Sequence, residues 1–117
     1  IVTVASQAGL WNEGDGGGMP YKVAKAGVVH YTRVLAAELG PSGIQVNCIA
    51  PGFILSSRAI AQGRNDEKIR SQLEARIPLR RLGTPQDCAR VVEFLVTEQS
   101  DYVSGQCIPI CGGLVAF

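Results

Sequence analysis

The first five positions, Ile1 to Ala5, form a β-branched apolar run with no polar alternation. That is the composition of a strand covered on both faces of a parallel sheet. Residues 6–19 break the pattern, and Asp15-Gly16-Gly17-Gly18 reads as loop. The period then becomes helical. From Pro20 to about Leu39, apolar or aromatic residues recur at spacings of three and four (Ala24, Val28, Tyr31, Leu35, Leu39), and a proline suits a first helical position. Gly40-Pro41-Ser42-Gly43 stops that helix. Ile44 to Ala50 reads as a second buried strand, ended by Pro51-Gly52. Residues 53–83 are less regular, with a charged amphipathic stretch from about Asp66 to Arg76. Thr84 then opens another helix as N-cap, with Pro85 at the first position and Asp87 completing a pattern like a capping box. Ala89, Val92, Phe94, Leu95 and Val96 supply its apolar positions. A last strand, Gln106 to Ile110, follows the turn at Ser104-Gly105 and is closed by Gly112-Gly113.

Strands alternating with helices imply right-handed crossovers, so the predicted fold class is α/β, a doubly wound parallel sheet with helices on both faces. Three strands make a narrow sheet and leave a long apolar edge unpaired, which is an aggregation liability. The chain opens at Ile1, without Met, inside a strand. It therefore reads as a fragment, with a preceding segment expected to cover that edge.

Composition narrows the function classes. The 117 residues are 46% hydrophobic and 18% charged, as in ordinary globular proteins, and a net charge of +1 gives no reason to expect nucleic acid or an anionic membrane as partner. No apolar run approaches the roughly 18 residues needed to span a bilayer, and no signal peptide is legible at the start, so a soluble, cytoplasmic protein is expected. Cys48, Cys88, Cys107 and Cys111 form no CxxC pair and are read as buried free thiols ahead of a disulfide or a metal site. Cys107 and Cys111 would share a face if both lay on a strand.

The informative chemistry is Ser6, Tyr21 and Lys25. Tyr21 and Lys25 are four apart on a predicted helix, so their side chains stack on one face. A phenol with an ordinary pKa of about 10 is a poor acid or base near neutrality. An ammonium about 4 Å away at an effective dielectric near 20 favours the phenolate by about 4 kcal/mol, so lysine is the right residue type at the right spacing. Ser6 stands at the end of a strand, where ligand sites open in α/β folds, and could bond the same substrate oxygen. Taken alone, a YxxxK is a common helical pattern.

Its surroundings are not common. VASQAG, then YKVAKAG, LAAELGPSGIQVNCIAPGFI, RLGTPQDCARVVEFL, YVSGQ and GG follow in order along essentially the whole chain. This series resembles the short-chain dehydrogenase/reductase family from its fifth strand to its C-terminus, and implies the C-terminal half of a single Rossmann-type domain over residues 1–117. The resemblance implies Tyr21 as general acid/base, Lys25 as the residue that tunes it and binds the nicotinamide ribose, and Ser6 as the group polarising the substrate carbonyl or alcohol. Pro51, Gly52 and the backbone at Ile54 match the turn that meets the nicotinamide, and Ser56 the position near the cofactor phosphates. The implied cofactor is NAD or NADP, and the implied activity is interconversion of a carbonyl and a secondary alcohol. Residues 56–79 resemble the family's substrate lid, and a homo-oligomer, dimer or tetramer, is expected of the complete protein. Narrower or rival readings are a 3-oxoacyl-carrier-protein reductase, its carrier docking near Arg80 and Arg81, and a truncated, non-catalytic product. This sequence departs from the family in two places: Ser6 and Tyr21 stand fifteen apart, slightly longer than usual, and Cys111 replaces the common Asp before Gly-Gly.

The remaining conspicuous residues invite plainer roles. His30 lies nine positions beyond Tyr21, too far to share its site, and reads as structural or surface. Asn47 is expected to serve backbone hydrogen bonding at a strand end, and Arg76, Arg80 and Arg81 to form a solvated face. Trp11 and Asn12 are candidates for lining the substrate pocket.

Overall fold

The computed structural model describes residues 1–12 and 17–116; Asp15-Gly16 of the expected glycine-rich loop lies outside them. The described chain forms β1 (Val2–Val4), α1 (Met19–Leu39), β2 (Asn47–Pro51), α2 (Ser57–Ala61), α3 (Glu67–Arg76), α4 (Pro85–Leu95) and β3 (Cys107–Ile110), with short 3₁₀ turns at Gln7–Gly9, Gly40–Ser42 and Glu98–Ser100. The three strands pair in parallel in the order β1-β2-β3. This is the expected Rossmann-type α/β architecture.

Side-chain alternation on the strands separates the two faces. Thr3, Cys48 and Cys107 stand in one row across the sheet and face α1: Thr3 Oγ1 lies 2.6 Å from Thr32 Oγ1 on that helix. Ala5, Val29, Cys48 and Ala50 form the core there, with Leu10, Val28 and Cys107 packed against it. Strand β2 also contacts α4, whose Leu95 is buried. Central β2 is sealed from Asn47 to Ala50, whereas β1 pairs on one side only and Val4 is 53% exposed. By strand alternation Val4 lies on the face opposite Thr3 and α1.

Local chemistry explains the element boundaries. Gly43, at φ 73°, takes the left-handed conformation after Leu39 and Gly40–Ser42, which a Cβ would strain. Strand β2 begins at Asn47 rather than Ile44 because the preceding amides are engaged elsewhere: Ile44 N donates to Leu39 O and Val46 N to Ser104 Oγ. Asn47 has the expected structural role. Its Nδ2 donates to Val103 O at 2.7 Å and its Oδ1 accepts from Gln106 N at 3.0 Å, stitching β2 to the turn before β3. The predicted capping box at Thr84 is present in both directions, and Asp66 caps α3 through the amides of Lys68 and Ile69.

All four cysteines are free. Cys48 and Cys107 oppose each other across β2 and β3, and burial, reinforced by Cys48, pushes the Cys107 thiol up to about 12. Cys111 falls just beyond β3, so it does not share a strand face with Cys107. Its Sγ accepts from Val115 N at 3.3 Å and fastens the final turn. No group of His, Cys, Asp or Glu among the described residues could hold a metal, and no described helix is long and apolar enough to cross a membrane.

Candidate active site

At the carboxyl end of β1 the chain turns through the 3₁₀ segment and back along α1. Gly9 makes this approach possible: a Cβ there would lie 2.5–2.8 Å from backbone atoms of Lys25 and Ala26. Ser6 caps the 3₁₀ turn, its Oγ accepting from Ala8 N at 3.2 Å. That bond uses an oxygen lone pair and leaves the hydroxyl proton to donate elsewhere.

Tyr21 lies in the first turn of α1 and is 44% exposed. Lys25, one turn further, places Nζ 5.8 Å from the Tyr21 ring centroid and donates to Val4 O at 3.0 Å. The spacing inferred from sequence therefore puts ammonium and phenol on one side of the helix. Attraction between such a cation and a phenolate strengthens as water is excluded and the local dielectric falls.

Ser6, Tyr21, Gly52 and Ser56 line one cleft of about 430 Å³. Gly52 is an obligatory small residue, since a Cβ would meet Gln7 Oε1 and Cys111 Cβ, both at 2.8 Å. Pro51 ends β2 beneath it. Ile54 lies beside the cleft, bridged to Gly83: Leu55 N donates to Gly83 O and Gly83 N to Phe53 O. The Ile54 carbonyl accepts from Ser56 N, and its own N–H has no partner among the described residues. Ser56 accepts from Ala59 N at 3.2 Å and caps α2, so its oxygen is partly engaged while its hydroxyl proton is available.

Sequence reasoning missed Gln7, Phe53, Arg58 and Arg64, which share this cleft. Gln7 Oε1 is buried without a hydrogen-bond partner; only adjacency to Ser6 pointed to it. The arginines come from α2 and the turn after it, too short a segment to carry periodicity. Trp11 and Asn12 are not on the cleft. They border a separate depression with Met19 and Val23, and Asn12 Oδ1 accepts from Lys22 Nζ at 2.9 Å. His30 is exposed. The three arginines 76, 80 and 81 do not converge either. Arg76 lies over the Phe53 ring, Arg80 donates to Ala75 O, and Arg81 grips Asp87 at 2.7 and 3.1 Å. Arg81, and then the Thr84 amide and hydroxyl, hold the Asp87 carboxyl well below the usual carboxylate range.

A buried carboxamide oxygen at Gln7 without a partner and a glycine at Gly52 leave room and hydrogen-bonding capacity in the cleft where a planar polar ring could sit, and the Ile54 amide two residues beyond Gly52 has no partner among the described residues. These residues fit the nicotinamide end of a dinucleotide. The carboxyl edge of the parallel sheet thus brings Ser6 and Tyr21 to one cleft, with Lys25 one turn along α1. Residues 1–115 match the family described as enoyl-(acyl carrier protein) reductase, and the chain belongs to the short-chain dehydrogenase/reductase family.

Named relatives agree with that placement. The chain is 51% identical over 116 residues to cyclohexanol dehydrogenase of Rhodococcus sp. (strain TK6), covering 97% of this chain and 42% of that protein. It superposes on a 3-oxoacyl-[acyl-carrier protein] reductase with bound NAD from Brucella melitensis with a TM-score of 0.85 at 32% identity, covering 99% and 41% of the two chains. A candidate NAD(P)-dependent gluconate 5-dehydrogenase from Beutenbergia cavernae, with bound NADP, matches with a TM-score of 0.83 at 35% identity, covering 97% and 45%. The chain thus spans under half the length of these relatives.

Proposed function

We propose that this chain is the C-terminal half of an NAD(P)-dependent oxidoreductase that interconverts a carbonyl and a secondary alcohol. The observation that carries the reading is that Ser6 and Tyr21 line one cleft while Lys25 holds its ammonium 5.8 Å from the Tyr21 ring centroid. When bound, NAD(P) supplies or accepts the hydride. The Ser6 hydroxyl, its lone pair tied to Ala8 N, donates to the substrate oxygen and holds it. Tyr21 Oη gives a proton to that oxygen in reduction and takes it back in oxidation. Lys25 favours the phenolate through its charge and binds the nicotinamide ribose. The Gly52 floor and the Ile54 amide would hold the nicotinamide, and Ser56 would donate its hydroxyl proton to the cofactor phosphates.

The rest of the dinucleotide site is assigned to a preceding segment, because the chain matches less than half of its relatives. The 117 residues alone are therefore expected neither to bind NAD(P)H at micromolar concentration nor to turn over. The complete protein is proposed to be a homo-oligomer, for which α1 offers exposed Val23, Tyr31 and Val34. The test is NAD(P)H absorbance with the complete protein, assayed on cyclohexanol and related alcohols. Tyr21→Phe should lower turnover by about 10²- to 10⁴-fold, the range of general acid–base catalysis; an undiminished rate rejects the mechanism.

A further inference from the structure

Resting on that reading of the cleft, we propose that Arg58 and Arg64 form an anion subsite that selects substrates bearing a carboxylate. Both line the cleft that holds Ser6 and Tyr21, together with Gln62. No acidic residue stands among its described lining residues, and neither arginine has an ion-pair or side-chain hydrogen-bond partner among the described residues. Arg70, Arg81 and Arg90, by contrast, each lie within 4.0 Å of a carboxylate.

The two guanidiniums are carried on a constrained backbone. Ser56 caps α2, and Ala59, 2% exposed, anchors it. Arg58 and Gln62 lie one turn apart, so they share a face. The chain then reverses through Gly63, at φ 81°, with Gly63 N donating to Ile60 O and Arg64 N to Ala59 O, both at 3.0 Å. That pair of bonds is a Schellman closure, for which a glycine in the left-handed conformation is the natural residue. It returns Arg64 to the wall that carries Arg58. Two cations lining one cleft with no acidic partner among its described lining residues suit an anion, which can take planar, two-pronged hydrogen bonds from either fork. A pyrophosphate is held in this class of fold mainly by backbone amides at a glycine-rich turn and a helix N-terminus. The arginines instead share the cleft of the proton-transferring tyrosine, which assigns them to the substrate.

The experiment compares 3-hydroxybutanoate with its methyl ester, using the complete protein with saturating cofactor. The wild type should prefer the carboxylate in kcat/KM, and Arg58→Gln or Arg64→Gln should each lower the carboxylate-to-ester ratio by roughly 10- to 100-fold, the worth of a hydrogen bond between charged groups. Lysine at either position should recover part of the ratio. Tyr21→Phe separates this from the catalytic reading: it should lose turnover yet keep the carboxylate's dissociation constant, and adding both arginine substitutions should weaken that binding. An equal preference for acid and ester in the wild type, or no turnover of either by a protein that oxidises cyclohexanol, overturns the proposal. So does a loss that appears in the KM of NAD(P) with the acid-to-ester ratio intact, which would give the arginines to the cofactor phosphates. Full activity in Tyr21→Phe would instead sink the proton-transfer reading and leave the arginine result standing.

Discussion

Arg81 and Arg58 border two clefts that share Phe53 as a wall, yet their surroundings differ in kind. Around Arg81 the polar groups are mutually satisfied: the guanidinium meets Asp87, which also accepts from the Thr84 amide and hydroxyl. Around Arg58 they are not. Gln7 Oε1 has no partner among the described residues, and the Ser6 and Ser56 oxygens each accept a cap bond while retaining a proton to give. Satisfied polar clusters hold a fold in place, whereas leftover donors and acceptors at a cleft define what it can take in. The two regions therefore predict different phenotypes, stability on one side and turnover on the other.

The sharpest way to expose that division is Lys25→Met. The phenol loses its neighbouring charge, and turnover should fall roughly 100-fold if the site works at an effective dielectric near 20, with the melting temperature nearly unchanged. A rate loss matched by a collapse in melting temperature would mean that Lys25 acts mainly through its bond to Val4 O. Gly52→Ala attacks the partition between the clefts. A Cβ there would strike Gln7 and Cys111 together, costing about 1–3 kcal/mol by overpacking and weakening both stability and cofactor binding. Thr84→Ala should cost about 1 kcal/mol through the lost cap of α4, visible in denaturant midpoint, with KM and kcat preserved. The smallest effect is set by pH. The folded Asp87 carboxyl titrates below its unfolded value, so its contribution is complete above about pH 4 and fades as acid protonates it in the fold. The difference in melting temperature between wild type and Asp87→Asn should accordingly be present at pH 7 and shrink below pH 4; a constant gap would contradict the assignment.

Much of this was legible in the chain, and the exceptions have physical causes. The long α1, the charged stretch from Asp66 to Arg76 and the box at Thr84 declare themselves because periodicity and capping are local. The Tyr21–Lys25 pair was readable for the same reason. The strands came out shorter than their apolar runs, since membership of a ladder depends on which amides are already spent, as at Ile44 and Val46. Helix α2 escaped notice because five residues make too little more than one turn to show a period. Trp11 was misplaced because nothing in a sequence says which way the chain leaves a 3₁₀ turn. Arg58 and Arg64 fall within the 56–79 segment likened to a substrate lid, but their place in the cleft depends on the reversal at Gly63 and on contacts distant in sequence.

One bond noted in passing reaches further than its 3.0 Å. Ala5 N turns toward β2, so the carbonyl of Val4 in the same peptide unit points outward, along the open rim of the sheet, and Lys25 Nζ occupies it. The ammonium is thereby tied at once to the end of β1 and to the side of the helix that carries the phenol, so a shift of either element would move the charge relative to the ring.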